Sequence, residues 1–252
     1  MNKNRKLVAV IACRNNGSRL YGKPLQNLDI LKKWTILDQI IDNLYKTKVI
    51  DEIVLAISFG KDNLIFEDYS KKKGLQYIFG SEIDVLQRLN IGLEYANGTD
   101  LFRVTSESPF LYIPAVENAW INHKSKNNDA TFLDDIIDGC GFEIINSKAL
   151  KYSWDNGIKK HRSEMCSLYI RENKDLFKIE KIKCPNELIR PDLRLTVDYP
   201  EDLIFCREVY RQHIKDRKEY DLLKIVALLN SQKKLISLIS PYCEEGYKTM
   251  YL

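Results

Sequence analysis

Leu7-Val8-Ala9-Val10-Ile11-Ala12 is an unbroken apolar run, and it empties into Cys13-Arg14-Asn15-Asn16-Gly17-Ser18-Arg19-Leu20-Tyr21-Gly22-Lys23-Pro24-Leu25. A continuous apolar run of this length, bounded by glycine and polar residues, predicts a buried strand. The loop behind it packs three cations, two glycines and several side-chain donors into a short stretch. Backbone amides and positive charge gathered in this way suit an anion such as a nucleotide triphosphate.

Working outward from that strand, helical and strand periodicities alternate. Trp34 to Thr47 carries a helical stripe at Leu37, Ile40, Ile41, Leu44 and Tyr45, and Glu52 to Ser58 reads as a second buried strand. The pattern repeats with a helix over Asp62 to Lys73, a strand over Leu75 to Phe79, a helix over Asp84 to Ala96 and a strand over Leu101 to Thr105. A helix over Ala115 to Lys126 and a strand over Ala130 to Leu133 continue it. Strands at Phe142 to Ile145 and Phe177 to Ile182 then flank a helical region from His161 to Asn173, the texture of an antiparallel excursion. Arg194 to Val197 reads as a last strand. Pro200 is well placed at a helix's first turn, a helix runs from Asp202 to about His213, and a final helix spans Tyr220 to Ile239. The expected fold is α/β: a three-layer α/β/α sandwich with a mostly parallel, Rossmann-like sheet and an antiparallel insertion.

The chain has 252 residues, 44% hydrophobic and 29% charged, enough for a full core, and no linker or repeat divides it. One domain over 1–252 is expected, with 129–190 as an insertion that binds an acceptor or a second copy. The net charge of +4 is spread along the sequence, with Lys71-Lys72-Lys73 as a solvated helix end. No basic arm is present, so a small anion is expected as partner and nucleic acid is not. Six cysteines without metal-ligand or redox spacing read as buried reduced thiols. No signal segment or membrane-spanning run is apparent, and a cytoplasmic location is expected.

Gly17-x-x-x-x-Gly22-Lys23 matches a P-loop up to its last letter. Pro24 stands where the hydroxyl for magnesium belongs, and its ring and missing N–H disfavour the helix that should start there. Gly139-x-Gly141 lacks the third glycine and opening helix of a dinucleotide fingerprint. The first loop instead resembles that of CTP-dependent cytidylyltransferases such as CMP-Kdo and CMP-sialate synthetases, A-R-x-x-S-x-R-L-P-G-K-P-L. Arg14, Arg19, Leu20, Gly22, Lys23, Pro24 and Leu25 keep its spacing, while Cys13, Gly17 and Tyr21 depart from it.

Three further stretches resemble, in order, the spore coat polysaccharide biosynthesis protein F-like branch of that family. Gly80-Ser81-Glu82-Ile83-Asp84-Val85-Leu86-Gln87-Arg88 is similar to its G-S-E-x-D-V-L-x-R segment. Ser106-Glu107-Ser108-Pro109 takes the place of its G-D-x-P turn, and Leu193-Arg194-Leu195-Thr196-Val197-Asp198-Tyr199-Pro200-Glu201-Asp202-Leu203 is similar to its L-R-L-T-V-D-T-P-E-D-L stretch. The resemblance implies a fold of the nucleotide-diphospho-sugar transferase type and a nucleotidyltransferase that activates a sugar acid or sugar phosphate for surface polysaccharide or glycoconjugate synthesis. CTP is the nucleotide it implies; GTP or UTP on a sugar 1-phosphate is the alternative.

Such a transfer needs positive charge on the departing pyrophosphate and a metal held by carboxylates. Arg14, Arg19 and Lys23 are the candidate catalytic cations. Ala12, Cys13, Arg14, Gly22, Lys23, Ser81, Asp84 and Arg88 are the candidate nucleotide contacts. Glu107 and Asp198, each beyond a predicted strand's C-terminal end, are the implied Mg2+ ligands. Surface charge is the alternative for the three cations and for Glu107, and an i,i+4 surface pair is the alternative for Asp84 and Arg88. Asp138-Gly139-x-x-Phe142-Glu143 resembles the family's D-G-x-D-V-E, with Gly141 in place of its second Asp. Arg162-Ser163-Glu164-Met165 stands where the branch has R-E-H. Asp138, Glu143 and Glu164 are thus expected to meet an anionic sugar acceptor. The resemblance further implies a homodimer formed through the insertion. His123, His161 and His213 read as structural or surface residues on mostly exposed helices. Two rivals compete: a glycosyltransferase, for which Asp134-Asp135-Ile136-Ile137-Asp138 lacks the D-x-D spacing, and a degenerate homologue that binds nucleotide or a partner without turnover.

Overall fold

The computed structural model describes residues 5–17, 19–215 and 220–250, with side chains as far as Glu244; Ser18 of the first loop lies outside them. In chain order the elements are β1 (Leu7–Cys13), β2 (Asn27–Asp29), β3 (Trp34–Thr35), α1 (Ile36–Lys46), β4 (Glu52–Ser58), α2 (Leu64–Lys73), β5 (Gln76–Gly80), α3 (Val85–Tyr95) and β6 (Asp100–Arg103). They continue with α4 (Val116–Lys126), β7 (Ala130–Leu133), β8 (Phe142–Asn146), α5 (Ser147–Asn156), α6 (Leu168–Glu172), β9 (Ile179–Lys181), α7 (Pro200–His213), α8 (Leu222–Leu229) and α9 (Lys233–Met250).

β1 lies within a seven-stranded sheet of order β5-β4-β1-β6-β8-β7-β9 and pairs in parallel with β4 and β6. Because side chains alternate along a strand, Leu7, Ala9, Ile11 and Cys13 join a core with α1, α4, α7 and α8. Val8 and Val10 join a second core, on the other face, with α3, α5 and α6. This is the three-layer, mostly parallel α/β sandwich expected from the run. Helix starts are fixed by side chains: Thr35 and Asp38 form a reciprocal capping box on α1, and the Asp84 carboxylate accepts the Gln87 N–H at 2.8 Å to cap α3.

The antiparallel excursion is smaller than expected. β8 runs antiparallel to both β6 and β7, but β9 adds parallel to β7, because α5 and α6 carry the chain across before it returns. Sequence periodicity gives no sign of α5, which starts directly after β8 with Asn146 capping the Ala149 N–H at 2.7 Å. The β2–β3 hairpin is likewise unheralded, since each strand is two or three residues long. Arg194 to Val197 is no regular strand; it makes one isolated bridge, Asp138 to Arg194. The expected final helix is two helices, α8 and α9, broken at Asn230 to Gln232. The three histidines are buried. His123 bridges Thr131 (2.8 Å) and Asp100 (3.1 Å), and His161 meets Glu172 at 2.8 Å.

Candidate active site

Past β1 the chain turns back on itself, and the Gly22 N–H donates to the Asn15 carbonyl at 2.8 Å. Gly22 sits at φ +61°, where a side chain would strain the backbone. Asn15 anchors the base of this loop. Its N–H donates to Asn63 Oδ1 at 2.7 Å, and its side-chain amide donates to the Tyr21 hydroxyl (2.7 Å) and the Asp62 carbonyl (3.1 Å). The loop closes into a three-residue 3-10 turn, Lys23–Leu25, with Pro24 buried. The long helix of a P-loop does not form here, in keeping with Pro24.

Two of the loop's three cations converge on one carboxylate. Lys23 donates to Asp198 Oδ1 at 2.7 Å and Arg19 to the same oxygen at 3.2 Å, while Arg194 donates to Oδ2 at 2.8 Å. Burial pushes the Asp198 pKa up, but Lys23, Arg19 and Arg194 outweigh it and hold the group below its ordinary value. The Arg19 guanidinium also lies 4.9 Å from the Tyr199 ring centroid. Glu107 stands in the loop after β6, and its carbonyl accepts the Val197 N–H at 3.0 Å, which ties the two carboxylate-bearing loops together. Burial holds the Glu107 carboxyl above its ordinary range; Asp198 adds to the rise, and Lys23 and the Ser106 hydroxyl, 3.0 Å away, oppose it. The nearby Cys13 thiol is pushed up to about 12 by burial, so it offers no thiolate nucleophile.

Two adjoining cavities open on these groups, sharing Arg14, Arg19, Arg103, Glu107 and Glu164. The smaller, about 170 Å³, is lined by Ala12, Arg14, Gly17, Lys23 and Arg88 among others. The larger, about 920 Å³, takes in Asp138, Glu143, Arg171, Asp198 and Tyr199. Both lie at the C-terminal ends of β1 and β6, where open α/β sheets bind ligands.

Residues 8–242 match the model of the cytidylyltransferase family. The chain belongs to that family. It is therefore a nucleotidyltransferase by family. It is 26% identical over 226 residues to the spore coat polysaccharide biosynthesis protein SpsF of Bacillus subtilis, covering 89% of this chain and 94% of that one. A cytidylyltransferase from Leptospira borgpetersenii superposes with TM-score 0.82 at 20% identity, over 92% of this chain and 97% of the other. CMP:2-keto-3-deoxy-manno-octonic acid synthetase complexed with CTP superposes with TM-score 0.61 at 13% identity, over 82% and 99%. These two likenesses carry the fold.

Within this cytidylyltransferase-family site, Ala12, Arg14, Arg19, Lys23, Arg88 and Glu107 line one or both cavities, as do Asp138, Glu143, Glu164 and Asp198. Cys13, Gly22, Ser81 and Asp84 do not line them. Cys13 points into the core and Gly22 shapes the loop, while Asp84 caps α3 and accepts Arg162 (2.5 Å) and Trp154 (3.0 Å). Asp84 and Arg88 form no pair. Arg88 is 1% exposed and reaches the Cys13 carbonyl at 3.1 Å and that of Ala56 at 3.3 Å, so it braces the end of β1 from below. Arg14 pairs with Glu164 across the mouth.

Glu143 is buried in a closed network: Ser167 (2.5 Å) and Arg171 (2.8 Å) donate to it, Arg103 lies 3.5 Å away, and Arg171 grips Asp134 at 2.7 and 2.9 Å. Burial raises its pKa, and Arg103 and Arg171 more than reverse the effect. Gly141 leaves no room for a side chain, since a Cβ there would lie 2.2 Å from the Leu133 carbonyl oxygen. Asp138 is 4% exposed, and burial lifts its pKa to about 6 against the opposing pull of Arg194. Arg103, Arg171 and Tyr199 escaped the sequence reading as cavity residues. The one available signal is that Arg103 ends β6, the strand that also delivers Glu107.

Proposed function

We propose that the chain transfers a cytidylyl group from CTP to a sugar-derived acceptor and releases pyrophosphate. The observation that carries this reading is the convergence of Lys23 and Arg19 on Asp198, beside Glu107, at the rim of a cavity large enough for a second substrate. The family and the CTP named for the CMP:2-keto-3-deoxy-manno-octonic acid synthetase support the choice of nucleotide.

In this reaction an acceptor oxygen attacks the α-phosphorus in line, a new P–O bond forms, and the bond to the β-phosphate oxygen breaks. Little covalent work falls to the protein; its part is alignment and charge. Arg14, Arg19 and Lys23 face the smaller cavity, and they would neutralise the charge that grows on the leaving pyrophosphate. Arg88 and Asn15 keep the loop at the end of β1 from shifting.

Glu107 and Asp198 suit magnesium, which is usually held through one or two carboxylates with phosphates and water completing the shell. Among the described residues no group of three or more acidic, His or Cys side chains gathers for a metal, so a two-carboxylate site is the form available. Magnesium bound there would supply charge neutralisation and orient phosphate oxygens.

Pyrophosphate release measured with CTP, GTP, UTP and ATP over a broad acceptor panel tests the proposal. CTP is expected to support the fastest release. Silence with all four nucleotides in the presence of magnesium would overturn it.

A further inference from the structure

Arg19 reaches its place from an exposed stretch of the first loop, and its side chain is 40% exposed. An arginine so placed has many rotamers to lose when it closes on a phosphate, and whatever holds it beforehand saves that loss. Two groups hold it here. Asp198 Oδ1 accepts from it at 3.2 Å; the Tyr199 ring centroid lies 4.9 Å from the guanidinium, and the Tyr199 hydroxyl accepts from Nη1 at 3.3 Å.

The two supports differ in kind. Asp198 is an anion, so it competes with a phosphate for Arg19, and its own oxygens are shared with Lys23 and Arg194. Tyr199 is neutral, and its π face attracts the guanidinium without opposing the charge of a triphosphate.

Tyr199 is in turn fixed by α9. The Tyr242 ring stacks on it at 4.0 Å with 16° between the planes. Among the described residues none from α9 lines either cavity, so the Tyr242 side chain acts on the site through that ring. The motif L-R-L-T-V-D-T-P-E-D-L carries threonine at the position of Tyr199, and threonine has no face for a ring or a guanidinium. The relay therefore belongs to this chain's own residues.

We infer that Tyr242 is a positioning residue for the nucleotide: its ring holds Tyr199, and Tyr199 holds Arg19 ready for the triphosphate. The inference rests on the nucleotide-binding part of the transfer reading and brings into it a residue from a helix outside the site.

Calorimetric titration of the full chain with CTP and magnesium tests it as a double-substitution cycle. Tyr242→Ala removes the ring but keeps the backbone carbonyl that Arg194 uses. It is expected to raise the Kd for CTP about fivefold, and Tyr242→Phe, which keeps the ring, should stay within about twofold of the unsubstituted chain. In an Arg19→Ala background, Tyr242→Ala should change Kd by less than about twofold, because the group through which it acts is gone. Unfolded molecules lower the binding stoichiometry and leave Kd unchanged, so the ratio reports positioning. An equal loss in both backgrounds, an unchanged Kd in Tyr242→Ala, or a Phe variant as weak as the Ala variant would overturn the inference. Pyrophosphate release is measured separately. The expected cycle without release from any acceptor would overturn transfer and uphold the positioning role, whereas no CTP binding by the unsubstituted chain would overturn both.

Discussion

Lys23 and Asp198 are 175 positions apart and meet at 2.7 Å, and that single contact joins the two halves of the site. The ammonium is only partly exposed, so its charge is less screened than at a free surface. Lys23→Ala is expected to lower kcat/KM for CTP by about 100-fold or more, the usual cost of losing one aimed donor in transition-state stabilisation. Circular dichroism should stay native, and wild-type turnover would remove Lys23 from the catalytic set. Asp138 makes a prediction of opposite sign for stability. Its folded pKa, about 6, lies above the ordinary carboxylate value, so the native state binds its proton more tightly than the unfolded chain does. Stability therefore falls as pH rises toward 6 and stays lowered above it. Asp138→Asn should raise the melting temperature at pH 7.5, and the gain should shrink below pH 6; an equal gain at pH 4 and 7.5 would contradict the assignment. At this scale the sequence makes the charged residues of the site legible through loop composition and motif order. It could not show that Arg88 braces a carbonyl and Asp84 takes Arg162, because both pairings depend on chains brought together from far away.

At the scale of elements, α9 is attached to the site through the Arg194 guanidinium and a stacked pair of tyrosines. Arg194 is 1% exposed and spans the Tyr242 carbonyl of α9, Asp198 and the α7 residue Asp202, while the rings of Tyr242 and Tyr199 stack at 4.0 Å. Arg194→Ala would leave two carboxylates facing each other in a half-buried pocket, and breaking a buried pair costs about 3–5 kcal/mol. Urea unfolding is the measurement that checks it, and a loss below about 1 kcal/mol would show that water or Lys23 takes over the role. Periodicity revealed β1 and β4 because nearly every residue in them is apolar and buried, and α1 and α3 because each buries an apolar face; β5, β6 and α2 followed from the alternation those elements set. It passed over β2, β3 and α5, which are short or held by caps and tertiary contacts. It merged α8 with α9 because no glycine or proline marks the break, which is carried by the polar run Asn230 to Lys234 alone.

Across the whole molecule, the parallel sheet delivers Lys23, Glu107 and Asp198 to one edge, so nucleotide and metal should bind as a coupled unit. Among the described residues no helix is long and apolar enough to cross a membrane. The net charge of +4 is consistent with an anionic nucleotide but does not name it. Coupling gives a test that needs no acceptor. A ligand present at about 100 times its Kd stabilises the native state by about 2.7 kcal/mol, which for a chain of this size raises the melting temperature by roughly 5–10 °C. CTP with magnesium is expected to give a shift in that range, and CTP with EDTA a clearly smaller one. Glu107→Gln should erase the difference between the two conditions while keeping the metal-free shift, because the loop cations still meet the phosphates. If EDTA leaves the shift unchanged in the unsubstituted chain, Glu107 and Asp198 hold no metal for the nucleotide. Asp198 would then be the counter-ion that keeps Lys23 and Arg19 extended over the cavity, and the positive charge on the triphosphate would come from the loop alone.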